Sequence, residues 1–113
     1  MKISIVILLM MTPLLTHAVD LECSGPINRV LIYNNGSVKI NPQWRPVPQT
    51  LCNMFIDYQS ITPNVCAAWV NIIESIRAQG KDVVINYGDN TGYQCDNTPS
   101  FDSAPVPVFI TAQ

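Results

Sequence analysis

The chain has 113 residues, with 6 Lys and Arg against 8 Asp and Glu, and its single histidine is His17. That is one domain's worth of chain, and the mild acidity excludes a strongly basic nucleic-acid binder. If residues 1–18 are a leader, 5 basic residues face 8 acidic ones and no imidazole remains, which excludes histidine-dependent chemistry.

The leader comes first. Lys2 is a short positive start, and Ile3 to Leu15 is an apolar run broken only by Ser4, Thr12 and Pro13. Thr16-His17-Ala18 puts small residues at the −3 and −1 positions of a cleavage site after Ala18. This is the layout of a secretory signal peptide. The run is shorter than the ~20 apolar residues of a spanning helix and contains a proline, which argues against a membrane anchor. Residues 19–113 are then expected to form a single exported domain with no transmembrane anchor.

Ile27 to Tyr33 is β-branched and apolar, and Val38 and Ile40 alternate with Lys39. Between them lies Asn34-Asn35-Gly36-Ser37. Asn-Gly suits a type I′ turn, with positive φ at both central positions, so the two runs are expected to form a hairpin. Asn35-Gly36-Ser37 also spells a glycosylation sequon, but the turn alone explains it. Asn41 to Pro48 holds Pro42, Pro46 and Pro48 around Trp44 and reads as a loop or strand edge. Thr50 to Tyr58 is a third strand candidate. Its imperfect alternation implies a bulge or burial on both sides.

Thr62 is a natural N-cap, and Pro63 fits the first helical position. Val65, Ala68, Trp69, Ile72, Ile73 and Ile76 recur at helical spacing and predict one core-facing stripe, with Gly80 closing the helix. Trp69 is then core. Asp82 to Tyr87 is a fourth strand, Gly88 to Ser103 a loop, and Val106 to Thr111 a fifth strand. Pro105 and Pro107 place that last strand at an edge.

Four cysteines follow the leader: Cys23, Cys52, Cys66 and Cys95. An even count in a small exported chain reads as two disulfides. With no CxxC spacing and no histidine, a zinc site is the weaker reading. Of the three pairings that four cysteines allow, Cys52–Cys66 and Cys23–Cys95 are favoured. The first would pin the helix start to the preceding strand, and the second would tie the chain's beginning to its last third.

The expected order is β-β-β-α-β-β, mainly β with one helix. This is the element order of the OB-fold, a small barrel with a helix between strands three and four. The alternative is an α+β arrangement of one helix packed on an antiparallel sheet.

Little catalytic chemistry is available. A nucleophile needs an activating base, and with no histidine after the leader and the cysteines paired, no triad can be built. The acidic residues read as solvated surface. Asp89-Asn90-Thr91-Gly92 reads as a turn, since it lacks the spaced ligands of a calcium loop. Neither a cofactor nor a metal site is expected. The basic residues are scattered, which argues against nucleic acid. Sugar binding remains available, through Trp44, Tyr33, Tyr58, Tyr87 and Tyr93.

The cysteine near the start of the exported part, Val-Leu-Ile-Tyr-Asn-Asn-Gly-Ser-Val, Leu51-Cys52, Cys66-Ala-Ala-Trp69, Val83-Val-Ile-Asn-Tyr87, Cys95 and Pro105-Val-Pro-Val-Phe109 together carry a resemblance. The chain resembles small secreted bacterial proteins of unassigned function. Those in turn resemble the OB-fold B subunits of subtilase-type and pertussis-like toxins, which form pentameric rings and bind sialylated glycans. In those subunits a disulfide precedes the helix, and Cys52 and Cys66 match it. A tyrosine ending the strand after the helix lines the sugar pocket, and Tyr87 matches it. A serine at the start of the first strand contacts the sugar, and Asn28 stands at the corresponding position. The toxin helix is longer, and its late cysteine pair lies wholly in the C-terminal tail. The resemblance implies a non-catalytic glycan- or receptor-binding module, able to form a homo-oligomer, with Tyr87, Asn28 and Trp44 as its candidate contacts. An exported structural or protein-interaction domain without a small ligand is the alternative.

Overall fold

A computed structural model describes residues 20–89 and 92–113. The leader expected at residues 1–18 lies outside the described residues.

The elements are β1 (Glu22–Gly25), β2 (Ile27–Ile32), β3 (Ser37–Pro42), β4 (Gln49–Asn53), α1 (Pro63–Ala78), β5 (Val83–Asn86) and β6 (Phe109–Ala112). They build two three-stranded antiparallel sheets, ordered β1-β5-β6 and β2-β3-β4. The protein is therefore mainly β with one helix. The sheets are hydrogen-bonded separately and do not close into one barrel, and the alternative α+β architecture fits. Pro26 sits where the chain passes from one sheet to the other. Having no N–H to donate, it suits a break between ladders.

β1 carries none of the β-branched residues that mark a strand in sequence, and its alternation rests on buried Cys23 and Gly25. β1 is therefore missing from the expected elements altogether, while the strand expected at Ile27–Tyr33 is present as β2, ending at Ile32. In β3, Val38, Ile40 and Pro42 point inward and their neighbours do not. β4 ends at Asn53 rather than Tyr58. The Asn53 Oδ1 accepts from the backbone N–H of Phe55 and of Ile56 at 2.8 and 3.2 Å, which turns the chain out of the ladder. The irregular alternation has both anticipated causes. Val38 pairs with Cys52 but Lys39 with Thr50, so Leu51 is a bulge, and every residue of β4 is buried. The loop after β5 covers β4. There Phe101 and Pro48 share a backbone bond of 2.7 Å, Gln49 Nε2 donates to Thr98 Oγ1 at 2.9 Å, and Thr50 Oγ1 donates to Asp102 at 2.6 Å. The last strand begins at Phe109 rather than Val106 and, as expected, is an edge.

The hairpin between β2 and β3 forms, but not with a type I′ turn. Gly36 N–H donates to Tyr33 O, and Tyr33 N–H to Ser37 O. Only Gly36 takes positive φ, at 87°, whereas neither Asn34 nor Asn35 does. This is a type I turn followed by a glycine bulge, the three-residue solution to the same twist problem. Gly36 is also required for space. A Cβ there would lie 2.6 Å from Asn53 Oδ1 and 2.7 Å from the Phe55 ring.

Thr62 caps α1, its side chain accepting from Val65 N–H, with Pro63 in the first turn. The far end is a Schellman motif: Lys81 N–H donates to Ile76 O and Gly80 N–H to Arg77 O, with Gly80 at φ 65°. The buried face is Cys66, Trp69, Val70, Ile73 and Ile76. This corrects the predicted stripe: Val65, Ala68 and Ile72 are exposed, while Val70 is buried. The helix is turned so that Cys66 faces β4, because the disulfide holds it there. Trp69 is core, as expected. The helix lies against β4, β5 and β6 and so covers parts of both sheets.

Both favoured disulfides are present, Cys23–Cys95 and Cys52–Cys66, with Cα separations of 5.7 and 5.5 Å. On the chain-entropy model the shorter loop contributes about 3 kcal/mol and the longer about 4 kcal/mol. Such terms are large beside the marginal stability of a small domain.

Candidate functional site

The strand alternation that buries Val83 and Ile85 continues to Tyr87, which is 3% exposed. Its backbone is fixed by a bond from Tyr87 N–H to Leu21 O, and Leu21 N–H in turn donates to Gly88 O. Burial pushes the Tyr87 phenol well above its ordinary value, because the charged phenolate loses its hydration. The side chain stays neutral and remains a donor at physiological pH. Among the described residues no side chain hydrogen-bonds its hydroxyl.

Tyr87 lines a cavity of about 500 Å³. One wall is the turn at residues 59–61, and the other is the run at residues 104–108 that leads into β6. The turn is a tight hairpin in which Tyr58 and Ile61 exchange both backbone bonds at 2.9 Å. It forces Gln59 to φ 53°, in the left-handed region, at a cost of roughly 1–2 kcal/mol. Among the described residues, the other non-glycine with positive φ is Phe101, at 51°. The Tyr58 hydroxyl donates to Asp102 O at 3.4 Å and so joins these two segments. Burial, and then the Asp102 carboxylate, push the Tyr58 phenol upward. Gln59 and Ser60 are exposed on the lip. Pro105 and Pro107 stand in the opposite wall, outside any strand, where neither ring could join a ladder as a donor.

The three residues expected to form a site do not converge. β5 runs antiparallel to β1 with Asn86 opposite Glu22 and Val83 opposite Gly25, so the residue beside Tyr87 is Leu21. Asn28 lies beyond the other end of that pairing. It is the extra residue of a bulge in β2, and its carbonyl accepts from Arg77 Nη2 at 3.2 Å. Trp44 is half-buried and packs on the core. A Cβ added at Gly25 would lie 3.2 Å from the Trp44 ring, so this indole seals the Gly25 end of β1, away from Tyr87. Its Nε1 is buried without a partner. Of the other aromatic candidates, Tyr33 lies under Lys39 Nζ at 4.6 Å, a cation–π contact.

Sequence reasoning missed Gln59, Ser60 and the 104–108 wall. Tyr58-Gln59-Ser60-Ile61 carries no glycine to announce a turn, and Pro105-Val106-Pro107 reads as the start of a strand. Among the described residues no cluster of three or more His, Cys, Asp or Glu could hold a metal, and no helix is long and apolar enough to cross a membrane. Comparison with known protein families, curated proteins and solved structures gives no match.

Proposed function

We propose that the chain is an exported, non-catalytic binding module that takes a glycan or glycosylated receptor in the Tyr87 cavity. The observation that carries this reading is the cavity itself. A buried neutral phenol forms part of its lining, two exposed polar side chains stand on its lip, and proline rings form its far wall. An apolar surface with a few placed hydrogen-bonding groups is what a sugar ring needs. Two disulfides and the sequence of residues 1–18 support export. The absence of histidine after residue 17 supports a non-catalytic role.

The OB-like reading of the fold belongs to the same proposal. It is supported by the near-continuous β1–β2 segment that serves both sheets, and by the parallel bridge of Gln49 to Phe101 between β4 and the segment leading to β6. The second reading, a protein-interaction domain, is favoured by exposed Ile32, Tyr33, Phe55 and Ile56 around the β2–β3 hairpin.

A glycan array on the exported domain separates the two. Binding that disappears in Tyr87→Ala, with an unchanged circular dichroism spectrum, supports the glycan reading. An array without binding, from a protein that is monomeric by light scattering, overturns it in favour of a protein partner.

A further inference from the structure

We infer that the Tyr87 cavity selects uncharged saccharides and rejects those bearing a carboxylate or sulfate, an inference that rests on the glycan-binding reading above. Every described residue lining the cavity is uncharged. The five basic residues among those described all lie elsewhere. Lys39 donates to Ser37 Oγ and covers the Tyr33 ring. Arg45 donates to Thr98 O. Arg77 is held by Glu74 and the carbonyls of Ile27 and Asn28. Lys81 lines a separate cleft with Arg77 at the end of the helix. Arg29 sits opposite Asn41 in the β2–β3 ladder.

The Asp102 carboxylate, which acts on Tyr58 next to Gln59, is not among the lining residues and accepts from Thr50 Oγ1. An anionic sugar entering this cavity would lose hydration and meet no cation, which is the costly way to bury a charge. A neutral ring meets none of these costs. Its hydroxyls can pair with the Tyr87 phenol and with the Gln59 and Ser60 side chains, and its apolar face can lie on proline. The helix-end cleft carries the cations, but the Arg77 guanidinium there is already occupied by one carboxylate and two carbonyls.

The experiment compares the wild-type protein with Tyr87→Phe and Ser60→Lys on an array of matched glycans, with and without terminal sialic acid or sulfate. Wild type is expected to prefer neutral termini by about tenfold or more, a difference of about 1.4 kcal/mol. Its binding should change by less than about twofold as salt rises, because no ion pair is screened. Tyr87→Phe should weaken neutral binding. Ser60→Lys, at an exposed position that spares the core, should raise binding of the acidic glycans. Selective, salt-sensitive binding of sialylated or sulfated glycans that is lost in Tyr87→Phe would overturn the neutral-ligand inference and leave the glycan module standing. Binding untouched by both substitutions would overturn the assignment to this cavity, and the absence of any binding would overturn both readings.

Discussion

Gly36→Ala and Gly80→Ala form a matched pair of perturbations. Both glycines have positive φ, 87° and 65°, so alanine at either position incurs the left-handed penalty of roughly 1–2 kcal/mol. They differ in space. Around Gly80 nothing lies within 4 Å of an added Cβ, whereas at Gly36 the Cβ would meet Asn53 Oδ1 at 2.6 Å and the Phe55 ring at 2.7 Å. Phe55 is exposed and can swing away. Asn53 is buried, and its amide is tied to the Phe55 and Ile56 N–H groups. Displacing that amide forfeits about two hydrogen bonds, at about 1 kcal/mol each. Gly36→Ala is therefore expected to cost about 3–4 kcal/mol and Gly80→Ala about 1–2 kcal/mol. At roughly 4–8 °C per kcal/mol for a domain of this size, the two Tm values should differ by about 8–16 °C. Thermal unfolding followed by circular dichroism, without reductant, measures this. Equal losses in the two variants would refute the claim that the turn is locked against Asn53.

Three further outcomes are expected. Trp69→Ala should cost about 3–5 kcal/mol and Ile73→Ala about 2–5 kcal/mol, whereas Ile72→Ala, at a site 38% exposed, should cost under about 1 kcal/mol; urea unfolding that ranks Ile72 with Ile73 would contradict the helix orientation. Absorbance titration should find the Tyr87 phenol ionising well above its ordinary range. Because its folded pKa lies above the ordinary 10.0, the unfolded state releases the proton first, so stability is complete below about pH 10 and falls as pH rises beyond it. Tyr87→Phe should flatten that alkaline decline and remove the late-ionising phenol, and a titration curve of the folded protein that Tyr87→Phe leaves unchanged at high pH would refute the burial. Non-reduced peptide mapping should recover Cys23 linked to Cys95 and Cys52 linked to Cys66; a peptide joining Cys23 to Cys52 would overturn the register of β1.

Local signals were legible wherever one residue type serves one backbone need. Thr62-Pro63 opens the helix and Gly80 closes it, because capping is a contest among a few neighbouring groups. Both disulfides were legible from an even cysteine count and the placement of strands and helix. β1 was not, since a four-residue strand whose inward positions are Cys23 and Gly25 carries almost no periodic signal. The turn type was misread because Asn-Gly serves both a type I′ turn and the end of a type I turn with a bulge, and only packing against Asn53 selects between them.

The sequence by itself determined the composition of the fold: one capped helix, a set of short strands, two cross-links, and no histidine past residue 17. These follow from periodicity, caps and counts, which are local or additive. Tertiary structure alone decided which helical face is buried, because an apolar stripe wide enough to include both Val70 and Ile72 leaves the rotation open until Cys66 is bonded to β4. It also decided the candidate site. Tyr87 was legible as the tyrosine ending the strand after the helix, but its burial beside Val83 and Ile85 was decided by the fold. Its neighbours come from a turn some 28 positions earlier and a proline-rich wall about 20 positions later. Asn28 and Trp44 were drawn away by demands of their own, a backbone bulge held by Arg77 and an indole seated on Gly25. A cavity is a relation among distant segments, and only the long-range pairing of β1 with β5 and of β4 with the loop at Phe101 brings those segments together.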